Sequence, residues 1–250
     1  AAHTERVRLG TSVVQLAADL GQPEIDRYLV HGEVQLAIIG GDLDAAAAIA
    51  VGSLKRCLEE NDMSGLMTVG GTFVEIRRMQ GRFNDVISNL DLAAEQHADT
   101  NNRHMEARLR HQVGQVSQAR ELYERIQSDG IEGIRLDTAA GPKWPDFGYL
   151  SARFDDVVNA PAIITCLEPY ASTMFAPMVP YPVCAHMLGM LHAVLGEDET
   201  ALEYWAAAGR IFTRIEAPFF QDETRLEEAR LRLPRSGPGD VEEAMQLLDQ

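Results

Sequence analysis

Residues 185–212, AHMLGMLHAVLGEDETALEYWAAAGRIF, decide how the whole chain is read. Met187, Leu188, Leu191, Val194 and Leu195 fall at offsets of one, four, seven and eight, a single apolar stripe on an α-helix. Gly196 stops that helix. A glycine just past the last apolar residue can take the left-handed conformation that satisfies the orphan carbonyls. Asp198 is then placed to accept from the first free amides of the next helix. Leu202, Trp205, Gly209, Phe212 and Ile215 recur at spacings of three and four and give a second helix one buried face. Small residues at Gly189 and Ala201 let the two helices approach closely, with Trp205 filling the space beside them. The unit is a helical hairpin.

The same unit recurs in looser form. A helix-ending glycine with a small residue five positions on is found at Gly41 with Ala46, Gly114 with Ala119, Gly196 with Ala201 and Gly239 with Ala244. Gly81 is followed by Val86, and Asp155, lacking the glycine, by Ala160. These marks lie 40, 33, 41, 41 and 43 residues apart, the range expected of stacked helix pairs. One hairpin cannot bury its own apolar face, whereas a stack of six forms a continuous core. The expected fold is therefore all-α, a solenoid of about six helix pairs in one domain over residues 1–250.

The stretch LGMLHAVLGEDETALEYWAAA, with its leucine-glycine, turn glycine, alanine and aromatic spacing, resembles a tetratricopeptide repeat (TPR). With QARELYERI (118–126), CLEPYA (166–171) and RLEEARLRLPRSGPGDVEEAMQLLD (225–249), it is similar to the degenerate repeat array in the C-terminal half of large bacterial signalling ATPases. Those ATPases are linked to LuxR-type DNA-binding domains or to class III cyclase domains. The resemblance covers about half of the chain. It implies an α-α superhelix whose concave surface is lined by the first helix of each pair.

Composition agrees with a helical array. Aromatic residues are sparse at 6%, alanine is abundant, and no apolar run alternates at period two for long enough to make a strand. The net charge of -16 speaks against a nucleic-acid groove, which needs clustered Lys and Arg, and suits a basic peptide or protein partner. Cys57, Cys166 and Cys184 lie far apart, as buried thiols in a reducing cytosol would. No stretch has the length and apolarity of a membrane-spanning helix, and a cytoplasmic location is expected. A start without methionine and an end inside an amphipathic pattern suggest a fragment of a longer protein.

Taken in order, the pattern predicts a first helix over 4–20, pairs over 23–39 with 42–60, 64–80 with 83–98, and 101–113 with 115–128. Residues 129–146, with three glycines and two prolines, read as a linker or exposed loop. A fourth pair follows over 146–169, then an irregular proline-rich segment over 170–183. The sixth pair has its first helix over 219–232 and its second from Asp240.

Catalytic motifs are missing: no phosphate loop, no nucleophile elbow and no Cys/His pairing occurs. His97, His104 and His111 repeat at sevens, but two helical turns separate their rings by roughly 10 Å, too far for one metal ion. Asp42, Asp155, Asp156, Glu197 and Asp198 sit where second helices begin and read as caps. Arg77, Arg78 and Arg82, and Arg103, Arg108 and Arg110, read as solvated helix faces.

Neither enzyme chemistry, a cofactor nor a metal is expected. The first reading is a non-enzymatic sensor or interaction scaffold of a bacterial signalling or transcription-regulatory protein. Exposed Arg77, Arg78, Arg108, His111 and His192 on the inner curve would bind a protein, a peptide or another domain of the parent chain. The second is a small-molecule effector sensor near the 129–146 loop, contacted by Trp144, Tyr149 and Trp205 and changing solenoid curvature. A third, an all-α enzyme, would be revived by a pocket of convergent ionisable groups with strongly shifted pKa values.

Overall fold

The computed structural model describes residues 23–96, 103–128, 143–176 and 179–233, with isolated helical positions within 12–20 and at 245. Among the described residues the chain is all-α, with no strand. The helices are α1 (Pro23–Ile39), α2 (Leu43–Glu59), α3 (Met63–Met79), α4 (Phe83–Gln96), α5 (Arg103–Gln112) and α6 (Val116–Ser128). There follow α7 (Lys143–Arg153), α8 (Ala160–Leu167) with a 3-10 turn (Glu168–Tyr170), α9 (Cys184–Val194), α10 (Asp198–Ile215) and α11 (Pro218–Arg232).

One turn design joins most neighbours. Three residues separate α1 from α2, α2 from α3, α3 from α4, α5 from α6 and α9 from α10. Each such turn has its middle residue in the left-handed region: Gly41, Asn61, Gly81, Gly114 and Gly196, with φ from 55° to 87°. The amide after that residue reaches back to a carbonyl in the helix's last turn, as in Asp42 N to Ala37 O at 2.9 Å and Glu197 N to His192 O at 2.9 Å. Asp155, at φ 53°, fills the same role where the fourth unit lacks its glycine, with Asp156 N donating to Ser151 O at 2.9 Å. The design joins hairpins as well as closing them. Asn61 and Glu216 use it between α2 and α3 and between α10 and α11, which the glycine spacing did not reveal.

Capping follows the reading in part. Asp42 Oδ1 accepts from Ala45 N at 2.9 Å, and Asp156 Oδ1 accepts from Val158 N and Asn159 N at 3.2 and 3.1 Å. Asp198 does not occupy the cap expected for it. The three-residue turn puts Glu197 in that position and Asp198 inside the helix, and the Glu197 side chain pairs with His192 instead of an amide.

Two further expectations change. The loop expected over 129–146 gives way to helix at Lys143, because Pro145 is compatible with a first helical turn; residues 129–142 lie outside the described part. The stripe of α10 ends at Phe212, since Ile215 is 36% exposed and Ala201, Trp205, Ala208 and Phe212 make the buried face. The helix expected over 4–20, residue His97 and the helix expected from Asp240 fall largely or wholly outside the described residues.

Packing has two apolar centres. In the first, α9 lies against α7, α8, α10 and α11, and every residue from Cys184 to Leu191 is buried. Gly189 allows this: a Cβ there would overlap the Trp205 indole, whose Nε1 donates to His186 O at 3.1 Å. Trp144 and Phe147 of α7 meet edge to face in the same core. In the second, Val34 and Ile38 of α1 and Ala46 and Ala50 of α2 pack with Phe212, Phe220 and the segment around Tyr181 and Val183. The start of the described chain thereby docks on its end. Gly41 sits so close to Pro218 that a Cβ would collide with the proline ring, and Gln35 Nε2 donates to Ala176 O at 2.9 Å.

Candidate ligand cavity

The inner helices line an open-sided cavity of about 550 Å³. Alternate helices supply its wall: α3 with Glu75 and Arg78, α5 with Arg108 and His111, α7 with Tyr149 and Arg153, α9 with His186 and Met187, and α11 with Glu223, Glu227 and Arg230. The segment Val179–Pro182 closes one side, and Met79, Phe83, Phe219 and Leu226 add apolar surface.

Its anchor is a buried ionic chain. Arg108, 4% exposed, donates through Nε to Asp146 Oδ1 at 2.5 Å, through Nη1 to Gln112 Oε1 at 2.9 Å, and through Nη2 to Glu75 Oε1. Asp146 is fully buried in the first turn of α7, where the free amides of the helix end favour a negative charge. It also meets His104 Nδ1 at 2.7 Å and accepts from Tyr181 Oη at 3.3 Å. Glu75 Oε2 accepts from Arg78 Nε at 2.9 Å. Burial alone would raise the Glu75 carboxyl, but the charges and hydrogen bonds of Arg108 and Arg78 outweigh it and hold the group down at about 2. For Arg108 the same balance runs the other way: burial opposes its charge, and Glu75 and Asp146 lift its pKa well above the ordinary arginine value.

A second chain crosses the cavity. Glu227, buried, accepts at one oxygen from Arg153 Nη2 and from Arg230 Nη1, the latter at 2.6 Å. Burial pushes its carboxyl up, and the two arginines bring it below the usual value. His186 Nδ1 lies 2.8 Å from Thr224 Oγ1. Thr224 spends its own proton on Phe220 O, so His186 carries its hydrogen on Nδ1 and donates it. Burial lowers the His186 pKa to about 4, keeping the ring neutral.

Glu223 differs from its neighbours. It makes no hydrogen bond among the described residues, and its nearest cation is Arg78, whose Nη1 is 3.7 Å from Oε1. Burial raises its pKa, Arg78 opposes this, and Glu227 and Glu75 add to the rise.

Of the residues expected to bind, Arg78, Arg108, His111 and Tyr149 do line the cavity. The remainder do not. Arg77 points elsewhere, 4.4 Å above the Phe73 ring and bonded to Gln80. His192 stacks on Tyr204 at 5.2 Å. Trp144 and Trp205 are core residues. The expectation of solvated arginine faces is also corrected. Arg78, Arg108 and Arg110 are buried or nearly so and paired, Arg110 with Glu106, Asp91 and Gln115, while the Arg82 side chain is 54% exposed. Their acidic partners come from 19 to 38 residues away or from the next helical turn.

Glu75, Arg153, Tyr181, His186, Glu223, Glu227 and Arg230 escaped the sequence reading. A signal for some of them existed. Glu75, Arg108 and Tyr149 each stand six positions before a left-handed turn residue, 81, 114 and 155, so inner-face positions repeat in step with the turns. Among the described residues no group of His, Cys, Asp and Glu is placed to hold a metal. Comparison with family models, with curated proteins and with solved structures found no match.

Proposed function

We propose that this chain is a tetratricopeptide-like array of helical hairpins that serves a bacterial signalling or transcription-regulatory protein as a non-enzymatic effector sensor. The observation that supports sensing over simple scaffolding is the approach of α11 to α3, at Glu223 and Arg78. It leaves an open-sided cavity between the inner helices, of a size that suits a small ligand rather than a protein face. The cavity is lined by five helices, so a ligand that draws Arg78 on α3 towards Glu223 on α11 changes how α11 sits against the rest of the array. Such a ligand biases the curvature only through its unequal affinity for the two arrangements.

An enzyme site would also gather groups with shifted pKa values, and the directions argue against one. Glu75 and Glu227 are held ionised as ion-pair partners, as in a structural network. At the His111–Tyr149 contact, 3.0 Å long, burial pushes the phenol up and the imidazole down, which leaves the hydroxyl a poor nucleophile.

Thermal-shift screening against metabolites, nucleotides and basic peptides tests the proposal. A small ligand at a hundred times its dissociation constant adds about 2.7 kcal/mol, or roughly 5–10 °C for a chain of this size. The gain should vanish in Leu226→Trp, which fills the cavity rim. Stabilisation by basic peptides alone, untouched by that substitution, would return the protein to the interaction scaffold.

A further inference from the structure

The proposed sensing role leaves the ligand's chemistry open, and the cavity's unmatched pair narrows it. Arg78 uses only Nε, on Glu75, and its two terminal nitrogens make no hydrogen bond among the described residues. Opposite, Glu223 makes none at all, and the 3.7 Å between them is too long for one. Every other charged group on the wall is hydrogen-bonded to a partner: Arg108 to Glu75 and Asp146, Arg153 and Arg230 to Glu227. The wall therefore offers two terminal donors and one carboxyl that meet only as a loose ion pair, side by side on α3 and α11.

Resting on the reading of this cavity as a ligand site, we infer that it takes a zwitterion, a molecule carrying both a carboxylate and an ammonium group, as free amino acids and short peptides do. The carboxylate meets the terminal nitrogens of Arg78, in the geometry for which a guanidinium is suited. The ammonium meets Glu223, whose side chain is 29% exposed and has only Arg78, at 3.7 Å, as a nearby cation.

Charge balance favours this class over a simple anion or cation. Arg78, Arg108, Arg153 and Arg230 are matched by Glu75, Asp146, Glu223 and Glu227, and His186 is held neutral. A monoanion on Arg78 would leave Glu223 without its one nearby cation, and a monocation on Glu223 would leave Arg78 with Glu75 alone. A zwitterion brings both charges at once. Phe83, Phe219 and Leu226 supply an apolar wall for its side chain, and the volume of about 550 Å³ exceeds a single amino acid and admits a di- or tripeptide.

Isothermal titration of the whole chain with L-leucine, L-phenylalanine and the peptide Leu-Phe, each also as its N-acetyl and its C-terminal amide form, tests the inference. The zwitterions should bind and each blocked form should bind at least about tenfold more weakly. Leucine and phenylalanine binding more tightly than Leu-Phe identifies a free amino acid; the reverse order identifies a peptide. Glu223→Gln loses no hydrogen bond and so leaves folding intact. It should weaken the free-amine ligands by on the order of 10- to 100-fold and leave the N-acetyl forms unchanged. Arg78→Lys keeps the charge and should weaken the carboxylates while sparing the amides. Blocked forms binding as well as zwitterions, or no heat from any zwitterion, overturns the inference. The cavity reading has its own control: a non-zwitterionic ligand from the thermal screen that Leu226→Trp abolishes would leave that reading standing.

Discussion

Two buried regions meet at this cavity and are built on opposite terms. Around α9 the chain packs Leu188, Leu191, Phe147, Leu167 and Trp205, and burial of apolar area holds the region together. Around Arg108 on α5, charged side chains are equally dry, and only close pairing keeps them there. The apolar centre tolerates small errors, because a methyl lost or gained costs a bounded amount. In the ionic chain, one group removed strands the others. The difference predicts where the molecule is fragile, and a stable fold with a polar interior follows from having both.

The largest effect should come from cutting the ionic chain at its centre. Arg108→Met keeps the bulk but removes the cation that Glu75 and Asp146 share, leaving Glu75 with Arg78 alone, at a cost of about 3–5 kcal/mol in denaturant unfolding. Adding Glu75→Gln should recover part of that loss, since the stranded charge disappears. Leu188→Ala in the apolar centre should cost about 2–5 kcal/mol, and no second substitution of a charged residue should restore it. If the Arg108 and Glu75 changes simply add, the two residues do not form one unit.

Acid separates the regions by pH. His186 of α9 has its pKa lowered by burial to about 4, so the unfolded chain binds that proton first. Its stabilisation is complete above about pH 6.5 and disappears as the pH falls towards 4, roughly 3 kcal/mol in all. Glu75 also has a depressed pKa, about 2 instead of 4.5, and its contribution is lost lower down, between those values. Two steps of weakening are expected as urea midpoints are followed from pH 7 to pH 3. His186→Gln should shrink the upper step to the part that His111, also lowered by burial, contributes, and leave the lower.

The same contrast explains what the sequence could say. Apolar period and glycine position mark helices because neighbours three and four apart define a face, and α1, α3, α9 and α11 begin and end within one or two residues of their expected places. The inner-face ions carry no such local mark. Arg108 beside Arg110 on a polar helix looks solvated, since Glu75 and Asp146 come from 33 and 38 positions away. Arg78 looked exposed for a related reason: its neighbour Glu75 is local, but the α11 helix that covers both is 145 positions distant at Glu223. Docking of α1 on α11 is equally silent in the sequence. The apolar faces of both were visible, and their meeting was not.

The smallest predicted effect compares one turn on each side of the cavity. At Gly196, which leads from α9 to α10, the left-handed φ of 74° falls on an exposed glycine; at Asp155, which leads from α7 to α8, a φ of 53° falls on a residue with a Cβ. The Asp155 side chain is exposed and makes no hydrogen bond among the described residues that would offset the strain, whereas its neighbour Asp156 carries the capping bonds and the contact to Tyr123 at 2.8 Å. A left-handed non-glycine residue costs on the order of 1–2 kcal/mol, and a glycine returns part of that gain through the greater freedom of the unfolded chain. Asp155→Gly should therefore stabilise by about 0.5–1 kcal/mol in urea unfolding, while Gly196→Ala should destabilise by about 1 kcal/mol. If Asp155→Gly destabilises instead, the aspartate holds its turn by more than its backbone, and the fourth hairpin is not a strained copy of the fifth.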